Sequence, residues 1–171
     1  MVRTLTTLLA LAALAGCSQT ATSGGSASYT AALASAGGSG GDVLKVCSGF
    51  GCAISETVSF KASDLEKLRL VMEPGKASAE AERAAVAKAV GVMETMSRAK
   101  GRYGRDNPKA WQVDSGKRGQ MDCVDESLNT GAFLRYLHRH GLLRHHKPDR
   151  RYAERGLVVD GRYPHKSATM T

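Results

Sequence analysis

Asp122-Cys123-Val124-Asp125-Glu126-Ser127-Leu128-Asn129-Thr130-Gly131-Ala132-Phe133-Leu134-Arg135-Tyr136-Leu137 is the stretch whose reading decides the fold. Asp122 is an N-cap residue, whose carboxylate can take free N–H groups of a first helical turn. Cys123 then falls in that turn, where the positive end of the helix dipole favours a thiolate. Val124, Leu128 and Ala132 point one way, Phe133 and Leu137 nearly the opposite way. Beyond the first turn the apolar residues go most of the way round, so the spacing predicts a helix buried on several sides.

Toward the C-terminus, a nucleophilic cysteine needs a base, and His165 is the candidate. Gly156-Leu157-Val158-Val159 reads as a strand and Asp160-Gly161 as a turn. Pro164-His165 then opens a segment in which Ala168 and Met170 alternate with Ser167 and Thr169. A histidine at the start of a strand can face a helix N-terminus across a cleft. His138, His140, His145 and His146 cluster at and after the end of the cysteine helix. His138 and His140 are two apart and share no helix face. The cluster reads as a solvated, cationic helix end; neither a metal nor a cofactor is expected.

Toward the N-terminus, residues 101–120 are rich in Gly, Asp, Asn and Lys and read as a long loop. Trp111, inside it, reads as a core plug ahead of a substrate platform. A helix is predicted from about Ala79 to Ala99. Val86, Ala89, Val90, Met93 and Met96 form its apolar stripe, and Glu80, Glu82, Arg83 and Lys88 face elsewhere. Arg98 and Lys100 complement its C-terminal dipole, and Gly101 can end it. An earlier helix opens at Ser63-Asp64-Leu65-Glu66, which has capping-box spacing. Leu65, Leu68 and Met72 share its face, and Pro74-Gly75 stops it. Val43 to Cys47 reads as a strand, and Ile54, Val58 and Phe60 lie on one side of a second.

Cys47-Ser48-Gly49-Phe50-Gly51-Cys52 has the spacing of a small disulfide-closed loop, with glycines that let it close. Cys123 is then a free thiol. The compartment follows from the start of the chain. Arg3, the uncharged run from Leu5 to Leu14, and Leu14-Ala15-Gly16-Cys17 have the layout of an export signal whose apolar run is too short to span a bilayer. Residues 18–41 are mostly Ser, Thr, Ala and Gly and form a flexible tether. The folded part is expected at residues 42–171.

The chain has 171 residues and a formal net charge of +8. From Arg98 to Lys166 there are 16 Lys and Arg against 8 Asp and Glu, so the net positive charge sits in the C-terminal half. An exported protein meets little nucleic acid. Anionic envelope polymers or lipid headgroups are the expected partners of such a surface.

Two resemblances sharpen this reading. Leu14-Ala15-Gly16-Cys17 resembles the lipobox of bacterial lipoproteins. It implies a signal peptide over residues 1–16, acylation of Cys17 and a membrane anchor in the cell envelope. Ser18 in place of Asp after the cysteine points to the outer membrane, facing the periplasm, where the host has two membranes. Gln120 to Thr130, with Leu142-Leu143-Arg144-His145-His146 and Tyr163-Pro164-His165, resembles the transglutaminase-like cysteine peptidase superfamily of bacterial envelopes. That likeness covers roughly residues 43–170. It implies an α+β, papain- or transglutaminase-like domain: a buried central helix, with its cysteine at the N-terminus, against a small antiparallel sheet. By resemblance Cys123 is the nucleophile and His165 the base, and Gln120 is an oxyanion donor or a surface residue. The superfamily places an Asp or Asn after the histidine to orient it. None of the six residues after His165 is acidic or Asn, which fits a member that lacks the C-terminal strands.

Three functions follow. The first is thiol-dependent acyl transfer or hydrolysis at an amide bond. The second is a non-catalytic lipoprotein that holds peptidoglycan, lipopolysaccharide or an envelope protein through its basic half. The third, ranked last, is a redox protein using Cys47 and Cys52.

Overall fold

The computed structural model describes residues 43–102, 106–108, 111–155 and 164–171. Cys17, the tether, the strand expected at 156–159 and the turn at Asp160-Gly161 lie outside them.

The described chain is mixed α+β, as the sequence predicts, with three α-helices and two small antiparallel sheets. Strand β1 (Val43–Ser48) pairs with β2 (Ile54–Ser59) in a register running from Val43↔Ser59 to Ser48↔Ile54. Leu44, Val46 and Val58 put the apolar face of this hairpin into the core. The connection is unusual: Gly49, Phe50, Gly51 and Cys52 all have positive φ. The glycines adopt it freely, whereas Phe50 and Cys52 occupy it at a cost that surrounding bonds must offset.

Helix α1 (Ala62–Met72) is capped at Lys61, two residues before the Ser63 cap that the sequence suggests. Its start is set by Asp64, whose carboxylate accepts the Lys61 N–H at 2.8 Å and pairs with Lys100 at 2.7 Å. A 3₁₀ turn (Glu73–Ala77) follows, and Gly75 is buried there. A Cβ on Gly75 would lie 3.0 Å from both Ala85 Cβ and Glu82 Cα, so only glycine lets the turn sit this close to the next helix.

Helix α2 (Ala79–Lys100) is capped by the Ser78 hydroxyl, which accepts from Ala81 N at 3.1 Å, and it ends where Gly101 N donates to Ser97 O at 2.8 Å. Val86, Ala89, Met93 and Met96 are buried as their spacing predicts, while Val90 is half-buried. Helix α3 (Cys123–Arg139) is the central element, capped by Asp122 as expected. Ala132, Phe133, Leu134, Tyr136 and Leu137 are all buried, and the Tyr136 ring meets Phe60 edge-on at 5.3 Å. Truncating Phe133 to Ala would cost about 3–5 kcal/mol. No described helix is long and apolar enough to cross a membrane.

The second sheet pairs β3 (Pro148–Arg155) with β4 (His165–Met170). Tyr152↔Ala168, Ala153↔Ser167, Glu154↔Lys166 and Arg155↔His165 are the regular partners, and the register breaks between Pro148 and Tyr152. Ala168 and Met170 pack onto the core formed around α3. The segment 148–155 carries no clean alternation of apolar residues, so periodicity does not announce it as a strand.

Candidate active site

The N-terminus of α3 is held by two carboxylates in relay. Asp122 Oδ1 accepts from Val124 N and Asp125 N, each at 3.0 Å, and Asp125 Oδ2 accepts from Asp122 N at 3.2 Å. The Cys47–Cys52 loop closes over the same pair. Phe50 N donates to Asp125 Oδ2 at 2.8 Å, Cys52 N to Asp125 Oδ1 at 2.7 Å and Gly51 N to Asp122 Oδ2 at 3.1 Å. These bonds help fix the left-handed turn. The disulfide expected from the sequence is present, and Cys123 is a free thiol. One turn further along α3, Asn129 takes Cys47 N at 2.6 Å and gives to Cys47 O at 2.9 Å.

The loop after α2 joins this pole. Gly49 N donates to Gln120 O, Gly116 N to Gly49 O, and Met121 N to Asp106 Oδ1. Gln120 is therefore not a surface residue. It is buried, and its side-chain Oε1 accepts from Asn107 N at 3.3 Å. Trp111 also departs from expectation. It is 62% exposed, beside Val113 at 77%, because the backbone bonds that seat this loop leave the turn Gln112–Asp114 on the surface.

Cys123 is half-buried, and the main-chain N–H of Lys166 faces its sulfur. Burial pushes the Cys123 thiol up from its ordinary value. Lys166 opposes this with its N–H and its ammonium, while the carboxylates of Asp122 and Glu126 push the same way as burial. The balance is a raised thiol, so desolvation and two anions outweigh the N–H and the ammonium of Lys166. Burial also raises Asp125, to about 7, helped by Asp122 and opposed by the loop N–H groups. Partial burial raises Glu126, as do Asp106 and Glu94, and His165 acts against them.

His165 is exposed at the first position of β4. Among the described residues no hydrogen bond joins it to Cys123. The residue that meets the thiol is its neighbour Lys166, which sequence reasoning missed. The alternation of Ala168 and Met170 with Ser167 and Thr169 carries the signal, because it puts position 166 on the inward face. Lys166 Nζ donates to the Tyr152 hydroxyl at 3.1 Å and lies 4.9 Å from that ring's centre.

The histidine cluster is not uniformly solvated. His138 is exposed, His140 stacks on Tyr136 with centroids 4.3 Å apart, and His146 Nδ1 lies 2.7 Å from Glu82 Oε2. Glu82, expected on the polar side of α2, is completely buried. It accepts main-chain N–H groups of Arg144, His145 and His146, the latter two at 2.9 and 2.8 Å. The arriving loop, rather than the helix stripe, sets its burial. Among the described residues no three His, Cys, Asp or Glu side chains gather as a metal site would require.

The chain matches no protein-family model, no curated protein and no solved structure.

Proposed function

We propose that this is an envelope lipoprotein whose α3 pole performs thiol-dependent hydrolysis or acyl transfer at an amide bond, on a papain- or transglutaminase-like domain. Cys123 is the nucleophile and His165 the base. The observation that carries the reading is a half-open thiol at the first turn of a buried central helix, with the first residues of β4 beside it. In this chemistry the thiol proton passes through water to the His165 imidazole, which stands on the solvent-facing side of β4, as sulfur attacks the carbonyl carbon. The C–N bond then breaks, the imidazolium returns its proton to the leaving amine, and a thioester remains on Cys123. Water or a second amine releases the acyl group. The raised thiol fits a slow enzyme that rests protonated. No cofactor enters the scheme.

Cys17 carries the lipid in this reading, and residues 18–41 give the domain a reach on the order of 80 Å when extended. The test of the site is acylation by p-nitrophenyl acetate followed by mass spectrometry. An acetyl group on Cys123, lost in Cys123→Ala and formed more slowly in His165→Ala, supports the scheme. No acetylation of the wild type rejects it. Membrane fractionation of Cys17→Ser tests the anchor, and unchanged fractionation rejects it.

A second reading, non-catalytic binding of anionic envelope polymers such as peptidoglycan or lipopolysaccharide, is favoured by β3. Arg150, Arg151 and Arg155 are exposed there, and a shallow cavity of about 440 Å³ is lined by Arg150, Arg151, Tyr152 and Thr169 together with Asp149. Salt-sensitive co-sedimentation with those polymers, lost in Arg150→Ser/Arg151→Ser, is its signature.

A further inference from the structure

The two faces of β4 are unlike. Ala168 and Met170 pack against the core around α3, and Tyr152, the cross-strand partner of Ala168, packs with Val124, Leu128 and Cys47. Side chains two apart on a strand share a face, so Lys166 belongs to this inward set and His165 to the outward one. Lys166 is restrained there. Its ammonium bonds the Tyr152 hydroxyl at 3.1 Å, lies over that ring, and keeps Glu154 at 3.8 Å. Its side chain is only 23% exposed. Its main-chain N–H faces the Cys123 sulfur.

A lysine held in this way is a fixed cation on the residue whose main-chain N–H meets the thiol. We propose that Lys166, positioned by Tyr152, holds the thiolate of Cys123 when the proton leaves, leaving His165 to carry that proton. The proposal rests on Cys123 being the nucleophile. The charged groups that act on the thiol are Asp122 at the cap of α3, Glu126 on α3 and Lys166 on β4; Glu154 faces Lys166, while His165, Asp106 and Glu94 act on Glu126. Of these only Lys166 brings positive charge from the inward face of β4.

The experiment is the rate of Cys123 alkylation by iodoacetamide against pH, in the full chain with the disulfide intact. Lys166→Met should move the midpoint upward and slow alkylation at pH 7.5 about tenfold, one unit of thiol pKa. Lys166→Arg should restore most of the rate, and Tyr152→Phe should shift the profile the same way by less. Lys166→Gln serves as a second neutral variant, and circular dichroism confirms that each variant folds. A profile in both neutral variants that superimposes on the wild type overturns the proposal. If His165→Ala alone shifts it, the histidine holds the thiolate, and Cys123 keeps its role without Lys166. If the lysine variants behave as expected but p-nitrophenyl acetate leaves no acetyl group on Cys123, the lysine–thiol pair stands and the enzyme reading fails.

Discussion

Asp125 and Glu82 are both completely buried carboxylates, each cradled by main-chain N–H groups of a distant loop, yet they end with opposite affinities for a proton. Asp125 stands at the start of α3 and takes N–H groups of Phe50, Cys52 and Asp122. Glu82 stands near the start of α2 and takes those of Arg144, His145 and His146, which belong to the loop after α3. Burial raises both. At Glu82 the N–H donors and the His146 ring outweigh burial and hold the carboxyl below its ordinary value. At Asp125 the nearest charge is another carboxylate, Asp122, and the group is raised to about 7. Three N–H donors meet each carboxylate; all three come from the loop at Glu82, and two of them at Asp125. A hydrogen-bonding imidazole beside Glu82, and a second carboxylate beside Asp125, decide whether the tie is an anion or a carboxyl that holds a proton.

Breaking the Glu82 knot should have the largest effect. Glu82→Ala strands three N–H groups and the His146 ring, and should lower unfolding stability by about 4 kcal/mol in urea titrations. Asp125→Ala strands the disulfide loop and should cost about 3 kcal/mol, while blunting the iodoacetamide reactivity of Cys123 because the first turn of α3 frays. Reducing the Cys47–Cys52 bridge should cost about 2 kcal/mol, as expected for so short a closed loop. A largely exposed ring contributes little to the fold, so Trp111→Ala should stay within about 0.5 kcal/mol of the wild type.

The pH dependence sharpens the same contrast. Glu82 is depressed in the folded chain, so its contribution is present above its unfolded value and lost as pH falls through its folded one. Asp125 is raised, so the folded chain keeps a proton that the unfolded chain releases. Its contribution therefore weakens as pH rises from about 4 to about 7. Urea unfolding from pH 3 to 8 should show the acid-side loss flattened in Glu82→Gln and the decline toward pH 7 flattened in Asp125→Asn. Equal slopes in both variants would erase the distinction.

Local chemistry made part of this molecule legible in advance. The Asp122 cap, Cys123 in the first turn, the many-sided burial of α3, the α2 stripe and the short disulfide loop all follow from residues within one or two turns of each other. The roles of Glu82, Asp125 and Gln120 do not. Their partners arrive from loops far away in sequence, and periodicity carries no record of them. Trp111 was misread for a related reason: its size argues for burial, but the bonds that place its loop come from backbone groups at Gly49 and Asp114. In the candidate site, the thiol and the strand beside it were legible. Lys166 is not legible by residue type, which points to the histidine next to it, whereas strand geometry selects the lysine.

The clasp between the hairpin and α3 also orders events in the life of the chain. Asp125 reaches its partners across 75 and 73 positions of sequence, so the first turn of α3 cannot settle until a much earlier segment has curled into its left-handed loop. The bridge in that loop forms only where thiols can be oxidised. Where thiols stay reduced, the free cysteine would sit on a helix end whose clasp is weakened. The redox state of the surroundings would then tune the site, with no separate activator required.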